Sequence, residues 1–258
     1  MRVVTNQQRV KRNRQIAQLL FFVSLAILMG GFLFTNTLAR DSATLMLVPC
    51  AIMPLGLITT VISVRLTNQY VRPPHAEDAI REGLKGINKR SILYHYVVTT
   101  VNHVLVSPQG VYTFTTRFQE SRFKVEGSKW YSWKARGPLA PLFLFLKQEA
   151  LGDPFKQAQK EAESVQSIVD QAVPGSGIKV QPVVVFTSPK ATLEVIDPEI
   201  PVVYADLKKK PSLKSLLRED KRKEDAPTLS AAQMEAIDDQ IMEMFGGKRR
   251  ESQLVEEA

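Results

Sequence analysis

The sequence contains a single cysteine, Cys50, among its 258 residues. An intrachain disulfide bond needs two cysteines and a cysteine metal cluster needs several, so both are excluded. Because Cys50 lies within an apolar run, a small buried or lipid-facing side chain is the simplest interpretation of it. The lack of disulfide bonds agrees with a reducing compartment such as the cytosol.

Several common catalytic motifs are missing as well. The sequence has no P-loop, no glycine-rich dinucleotide fingerprint and no Gly-x-Ser-x-Gly elbow. It has three histidines, His75, His95 and His103, and no two of them have the spacing of metal ligands on one helix. The sequence therefore gives no support for an ordinary NTPase, dehydrogenase or serine hydrolase.

Acidic residues are absent from the first 15 positions, which carry five basic side chains. The formal net charge of the whole chain is +8, so this short segment supplies most of it. The remainder of the chain is close to balanced, which is weak support for nucleic-acid binding. We interpret residues 1–15 as a basic arm in the cytosol.

Charged residues are also absent from two long apolar runs, Ile16–Ala39 and Ala43–Val64. Each run has at least the ~20 residues that a helix needs to cross a hydrocarbon core of ~30 Å. The linker 40–42 is only a tight turn, so we predict a transmembrane helical hairpin over residues 16–66. A cleaved signal peptide is the alternative for the first run, but the run is long for a signal and a second one follows at once.

Basic residues lie on both flanks of this predicted hairpin. They crowd the N-terminal arm and continue after the second run at Arg65, Arg72 and Arg81. Positively charged flanks stay on the cytoplasmic side of a bilayer. We therefore predict a two-span protein of the cell membrane, with the lipid bilayer as a partner and both termini in the cytoplasm.

The chain after the second run alternates between helical and strand patterns. Such an order predicts an α/β domain in which helices flank a mixed sheet. The predicted helices are His75–Asn88, a long helix from Asp153 to Pro174, Ser212–Glu219 and Thr228–Phe245. The predicted strands are Ile92–Val98, Val101–Ser107, Val111–Arg117, Arg122–Val125, Lys129–Trp133, Lys179–Thr187 and Pro201–Ala205.

Two further segments bear on partners. Leu139–Leu146, LAPLFLFL, is too short to span a bilayer and is either a buried helix or strand or a segment lying in the membrane interface. Residues 220–258 are predicted to be a charged linker, an amphipathic helix and a disordered tail. The apolar face of the helix within 228–245 is a predicted site for a protein partner. That face consists of Met234, Ile237, Ile241, Met244 and Phe245.

Three local sequences occur together: NHVLVSPQGVYTFTTR at Asn102–Arg117, then DPFKQAQKEAESV, then VQPVVVFT. Their combination resembles the nuclease-related domain (NERD) family, which is similar in fold to the PD-(D/E)XK nucleases. The resemblance implies a restriction-endonuclease-like core, and we expect a NERD-like cytosolic domain over residues 75–219.

The resemblance also implies a chemistry, namely metal-assisted hydrolysis of phosphodiesters. In such families two carboxylates hold Mg²⁺, and a lysine two residues after the second positions the attacking water. The matching positions here are Asn102, Thr115 and Arg117. The first two supply no negative charge, and arginine stays protonated and cannot act as a base. We therefore expect no cofactor, with Mg²⁺ required only if the protein is a divergent nuclease.

Two family positions keep their residue types. Glu77 matches the acidic residue of the first helix, and Gln157 matches the glutamine that follows Asp-Pro. Each also has an ordinary structural interpretation: a solvated glutamate in a first helical turn, and a glutamine that holds a helix end against the sheet. Glu120 or Glu126 could replace a lost ligand by migration within the site.

His103, next to Asn102, is a candidate general base, although a structural histidine within a strand is the simpler interpretation. We predict that Glu77, Asn102, Thr115, Arg117 and Gln157 form a catalytically degenerate site. The domain would then act as a binding or scaffolding module. The alternatives are a divergent metal-dependent nuclease at the membrane and a structural subunit of a membrane complex. Nucleic acid is kept as a further, weakly supported partner.

Overall fold

The computed structural model describes residues 1–37, 47–132, 151–222, 228–246 and 254–257. It divides into two compact units, which are described separately. One unit contains Met1–Arg9 together with the described chain from Pro74 onwards, and the other contains Val10–Pro73. The predicted linker 40–42 and the segment Leu139–Leu146 lie outside the described residues, so the expectations about them stay predictions.

Two long helices dominate the Val10–Pro73 unit: α1, which spans Gln7–Thr37, and α2, which spans Leu47–Tyr70. Within the described residues, Gln7–Phe34 is long and apolar enough to cross a membrane, and an 18-residue window within it has a mean hydropathy of 2.3. A signal sequence near the N-terminus would pass the same test, so this is weak evidence for membrane association. A second span is not shown.

The other unit is a mixed α/β domain, as predicted. Its helices are α3 (Ala76–Gly83), α4 (Pro154–Ala172), α5 (Leu213–Arg222) and α6 (Ala231–Gly246). Its strands are β1 (Arg2–Asn6), β2 (Ile92–His95), β3 (His103–Ser107), β4 (Gly110–Arg117), β5 (Arg122–Gly127), β6 (Lys129–Ser132), β7 (Val180–Phe186), β8 (Thr192–Pro198), β9 (Val202–Tyr204) and β10 (Leu254–Glu257).

Seven strands form the main sheet in the order β10-β1-β2-β3-β4-β7-β9. Strands β2, β3 and β4 are antiparallel neighbours, whereas β4 pairs with β7, and β7 with β9, in parallel. Helix α4 packs on one face of this sheet, and α3 and α5 pack on the other. The predicted mixed sheet flanked by helices is thus confirmed.

Alternation along β3 shows how the sheet divides its side chains between two cores. Val104 and Val106 pack with residues of α4, whereas Leu105 packs with residues of α3 and α5. Because both faces are covered, β3 carries three consecutive apolar residues, Val104, Leu105 and Val106.

A second sheet of three strands has the order β6-β5-β8. Its β5–β6 hairpin was predicted, but β8 was not. The sequence of β8, TLEVIDP, alternates between exposed and half-buried residues and contains two acids and a proline. It forms a strand because it pairs in parallel with β5. That partner is distant in sequence, and a local pattern cannot reveal it.

The predicted basic arm of residues 1–15 begins with a strand. Residues Arg2–Asn6 form β1, which pairs in parallel with β2 inside the main sheet, and Val3 and Val4 are buried. The basic residues near this short β-branched run favoured the prediction of a basic arm in the cytosol. The folded domain therefore extends beyond the predicted 75–219 boundary.

The C-terminal region differs in two places from the predicted linker and tail. Asp220 lies within α5 and is buried, where it accepts a hydrogen bond of 3.3 Å from the Tyr112 hydroxyl. It is therefore not part of a solvated linker. Residues Leu254–Glu257, predicted to be disordered, pair antiparallel with β1. Both differences arise from partners that are remote in sequence.

Helix α6 confirms the predicted amphipathic helix and its capping box. The Ser230 backbone amide donates to the Gln233 side chain at 2.9 Å, and the Gln233 backbone amide donates to the Ser230 hydroxyl at 3.2 Å. Met234, Ile237 and Ile241 are buried in the core beneath α4 and β3. Because Met234, Ile237 and Ile241 are used within the domain, a protein partner on residues 228–245, which stays a prediction, would have to contact other residues of the helix, such as the exposed Met244.

Candidate functional site

The family positions lie on the β3–β4 hairpin. Asn102 immediately precedes β3, and Thr115 and Arg117 lie near the end of β4. The hairpin turn ends at Gly110, whose φ of 136° is one that residues with side chains rarely adopt. Since alternate residues of a strand share a face, Thr115 and Arg117 both lie on the α4 side of the sheet.

Helix α4 brings the matching glutamine to this face. Its N-terminus is fixed by Asp153, whose side chain accepts the Lys156 amide at 3.0 Å, and by a proline in the first turn. Gln157 and Glu161 are one helical turn apart and therefore adjacent on the helix surface. The Gln157 amide nitrogen donates to Glu161 Oε1 at 2.7 Å.

A chain of hydrogen bonds joins β4 to α4. Thr115 Oγ1 donates to Glu161 Oε2 at 2.6 Å, and Arg117 Nη2 donates to Gln157 Oε1 at 2.9 Å. The structure thus brings together three of the predicted residues, Thr115, Arg117 and Gln157. It adds Glu161, which the sequence analysis missed. The available signal was its position four residues after Gln157 on the same helix.

Two effects compete at the carboxyl group of Glu161, which belongs to a residue only 9% exposed. Burial raises its pKa, whereas the hydrogen bonds from Thr115 and Gln157 and the charge of Arg117 lower it. Burial prevails, so the pKa lies above its ordinary value. Its two oxygens accept hydrogen bonds from Thr115 and Gln157 at the interface between β4 and α4.

The donor set does not fit Mg²⁺. This cation prefers several anionic oxygens, but the two family carboxylate positions hold the neutral residues Asn102 and Thr115. The carboxylate of Glu161 has both oxygens engaged by Thr115 and Gln157, and the Arg117 guanidinium adds positive charge nearby. Across the described parts of the chain, no group of three or more His, Cys, Asp or Glu residues could hold a metal ion.

Glu77 approaches the hairpin from the other face, because α3 packs opposite α4. Its Oε2 accepts a hydrogen bond of 3.2 Å from the Tyr96 hydroxyl. Tyr96 has a positive φ of 60°, and its amide donates to the Asn102 carbonyl at 2.6 Å. Tyr96 therefore links Glu77 to the Asn102 end of the hairpin, while Glu161 holds the Thr115 end.

His103 is fully buried and has a structural environment. Its Nδ1 lies 2.7 Å from Nδ1 of His95, directly across the β2–β3 ladder. Burial lowers the pKa of His95 to about 3, with a further contribution from the charge of Arg81, and burial followed by the proximity of His95 lowers the pKa of His103 well below its usual value. A neutral, inaccessible imidazole pair does not suit a general base, so the structural interpretation is the better supported.

The two candidate migrated carboxylates have partners elsewhere. Glu126 forms an ion pair with Lys124 at 3.0 Å on the three-stranded sheet. Glu120 accepts a hydrogen bond of 3.4 Å from Ser188 and lies 3.7 Å from Lys190. The carboxylate that accepts a hydrogen bond from Thr115 belongs to Glu161.

Comparison with known proteins agrees with this geometry. Residues 75–187 match the family model of the nuclease-related domain. No similar curated protein and no similar solved structure was found. The matched region runs from the residue before α3 to the residue after β7, so it includes the β3–β4 hairpin and α4. Residues 75–187 of this chain are therefore similar to the nuclease-related domain, NERD, which the local sequences also resemble.

Proposed function

We propose that this protein is a membrane-anchored NERD-like domain that binds a partner without hydrolysing phosphodiesters. The observation that carries the proposal is the network of Thr115, Glu161, Gln157 and Arg117. It contains Thr115, Arg117 and Gln157, three of the positions predicted to match the family's site residues. A carboxylate whose two oxygens already accept hydrogen bonds from neighbouring side chains has little capacity left for a cation.

Charge supports the same conclusion. Cleavage assisted by Mg²⁺ needs anionic ligands to hold the metal and a group that positions the attacking water. Asn102 and Thr115 are neutral, and the permanently protonated Arg117 opposes cation binding. Glu161 is a single carboxylate, and burial raises its pKa and so disfavours its charged form.

The membrane part of the proposal rests on the apolar segment of α1 and on the two uncharged runs of the sequence. We propose two spans with both termini in the cytoplasm, which would hold the domain against the cytoplasmic face of the cell membrane. The binding partner is a protein or a nucleic acid, and a structural role in a membrane complex is an alternative of the same kind. A binding role needs the fold of the site but not its metal.

One observation favours a second candidate function, a divergent nuclease. Glu161 places a carboxylate beside the family's second acidic position, as a migrated ligand would. A working centre would need a second carboxylate to converge on it, and Glu77 reaches the hairpin from the opposite face. The binding role is therefore preferred.

The first part of the test is a cleavage assay on the full chain purified in detergent. We expect no cleavage of single- or double-stranded DNA or RNA with Mg²⁺ or Mn²⁺. Metal-dependent cleavage that Glu161→Gln abolishes would establish the divergent nuclease and overturn the binding proposal.

The second part restores the family's residues in the triple variant Asn102→Asp, Thr115→Glu, Arg117→Lys. A second carboxylate against Glu161 creates repulsion that a divalent cation relieves. We expect Mg²⁺ to raise the melting temperature of this variant but not that of the parent chain. The control carries the same three exchanges at exposed positions: Asn88→Asp, Thr192→Glu and Arg122→Lys. Equal Mg²⁺ stabilisation of the parent chain would contradict the claim that its site does not fit the metal.

A further inference from the structure

The connection between β9 and α5 combines an exposed apolar residue with a run of lysines. It spans Asp206–Ser212, DLKKKPS, and is called here the basic loop. Leu207 is 45% exposed, one of the few large apolar side chains of the domain that is so accessible. Lys208 and Lys210 are also exposed. The connection therefore presents an exposed apolar side chain next to exposed lysines.

The middle lysine gives the basic loop a fixed conformation. The Lys209 ammonium donates to the carbonyl oxygen of Pro189 and, at 2.7 Å, to that of Ala191. It also lies 4.9 Å from the centre of the Tyr204 ring, within cation–π range. The Asp206 side chain accepts the Lys208 amide at 2.9 Å. A loop ordered in this way loses less entropy when it binds a surface.

Lysines from other segments gather next to the loop. Lys214, in the first turn of α5, donates to the carbonyl oxygen of Lys85. Lys190 directly follows Pro189, whose carbonyl oxygen accepts a hydrogen bond from Lys209. Two ion pairs neutralise part of this charge: Lys85 pairs with Glu82, and Lys190 pairs with Glu120. Within the described residues, Lys208 and Lys210 have no acidic partner, so the uncompensated charge is concentrated on the loop that carries Leu207.

We propose that the basic loop is a membrane-contact element, in which Lys208 and Lys210 bind the headgroups of acidic phospholipids and Leu207 enters the bilayer interface. Basic residues are attracted to the negative surface of an acidic membrane, and a leucine at the interface adds buried apolar area. A polyanion in solution would use the lysines but would leave Leu207 in water. The loop also lacks the aromatic side chains on which nucleic-acid bases stack.

This inference rests on the proposed membrane anchoring, which brings a bilayer close to the domain. It is tested with a single thiol label. Because Cys50 is the only cysteine, Cys50→Ser combined with Leu207→Cys allows a polarity-sensitive fluorophore to be attached to the loop alone. The matched control is Ile196→Cys on β8, where the native side chain is 44% exposed. Both full-length variants are reconstituted into liposomes of neutral lipid, with or without phosphatidylglycerol.

The expected result is a blue shift of the label at position 207 when phosphatidylglycerol is present, with no shift at position 196. High salt should abolish this blue shift. The double variant Lys208→Glu, Lys210→Glu should also abolish it. The control double variant Lys156→Glu, Lys160→Glu, at exposed positions of α4, should leave the shift unchanged. Identical emission at position 207 in both lipids would overturn the proposal, as would a shift produced by RNA in the absence of lipid. Flotation with neutral liposomes reports on the anchor separately, because it does not depend on the loop.

Discussion

Thr115 illustrates how a single position can change the character of this site. Its hydroxyl donates where a carboxylate of the family would accept, and the nearest acid, Glu161, becomes its acceptor. Gln157 and Arg117 complete the network from the helix and the strand. These hydrogen bonds join the β3–β4 hairpin to α4, so the residues contribute to the stability of the domain.

The buried histidine pair predicts a sensitivity to acid. Both pKa values are lowered in the folded protein, that of His95 to about 3, so the fold holds both rings neutral. This stability is fully present above the unfolded pKa of about 6.5. It is lost as the pH falls from about 6.5 towards the folded values, by about 1.4 kcal/mol per pH unit for each histidine.

The double variant His95→Leu, His103→Leu should flatten that pH dependence. Replacing both members of a buried polar pair by apolar side chains of similar size is close to neutral at pH 8. Chemical unfolding of the full chain in detergent at several pH values measures the slope. An unchanged slope between pH 6.5 and 4.5 would show that other groups cause the acid sensitivity.

Helix α6 shows what sequence patterns can and cannot reveal about an element. Its position and capping box were predicted because the signals are local: an apolar stripe and the pair Ser230 and Gln233. The same reasoning predicted α4 and the β3–β4 hairpin. The burial of Asp238 was not predicted, because the local sequence is typical of a solvated charge. Its partners, Tyr94 of β2 and Arg2 of β1, are remote in sequence.

Asp238→Ala is predicted to lower the free energy of unfolding by about 2–3 kcal/mol. Asp238 accepts 2.6 Å and 2.5 Å hydrogen bonds from Tyr94 and Arg2, and its loss leaves the buried Tyr94 hydroxyl without its acceptor. The Arg2 contribution is reduced because its side chain is one-third exposed. Thermal or chemical unfolding provides the measurement. The neighbouring Asp239→Ala, at an exposed position, should change stability by less than about 0.5 kcal/mol.

For the whole molecule, the main lesson concerns long-range pairing. Strands β1, β8 and β10 escaped the sequence analysis because each is defined by a partner far away in the chain. The candidate site was only partly foreseen for the same reason. Its family positions follow from local motifs, whereas the bond between Thr115 and Glu161 depends on how α4 packs against β4.

Arg9 connects the N-terminal segment to the candidate site. Its guanidinium donates to the carbonyl oxygens of Tyr96, Val98 and Thr99 at 3.2, 2.8 and 3.0 Å. These residues form the β2–β3 connection that leads to Asn102. Three hydrogen bonds from one side chain restrain a segment that otherwise has no regular structure.

Arg9→Ala should therefore loosen this connection while the rest of the sheet keeps its protection. We expect amide hydrogen exchange over residues 96–102 to become about tenfold faster, which corresponds to about 1.4 kcal/mol of local stability. Arg12→Ala, at an exposed position of α1, is the matched control. Equal exchange in both variants would show that the three hydrogen bonds do not restrain the segment.

Strand β1 has a practical consequence for how this protein can be produced. It is made before both apolar runs, yet its partner β2 is made after them, so the sheet cannot be completed from the soluble part of the chain alone. A version truncated before residue 75 would leave an inner strand of the sheet as an unpaired edge, the kind of surface on which proteins aggregate. Poor behaviour of such a fragment would reflect a missing strand and would say nothing about the activity of the domain.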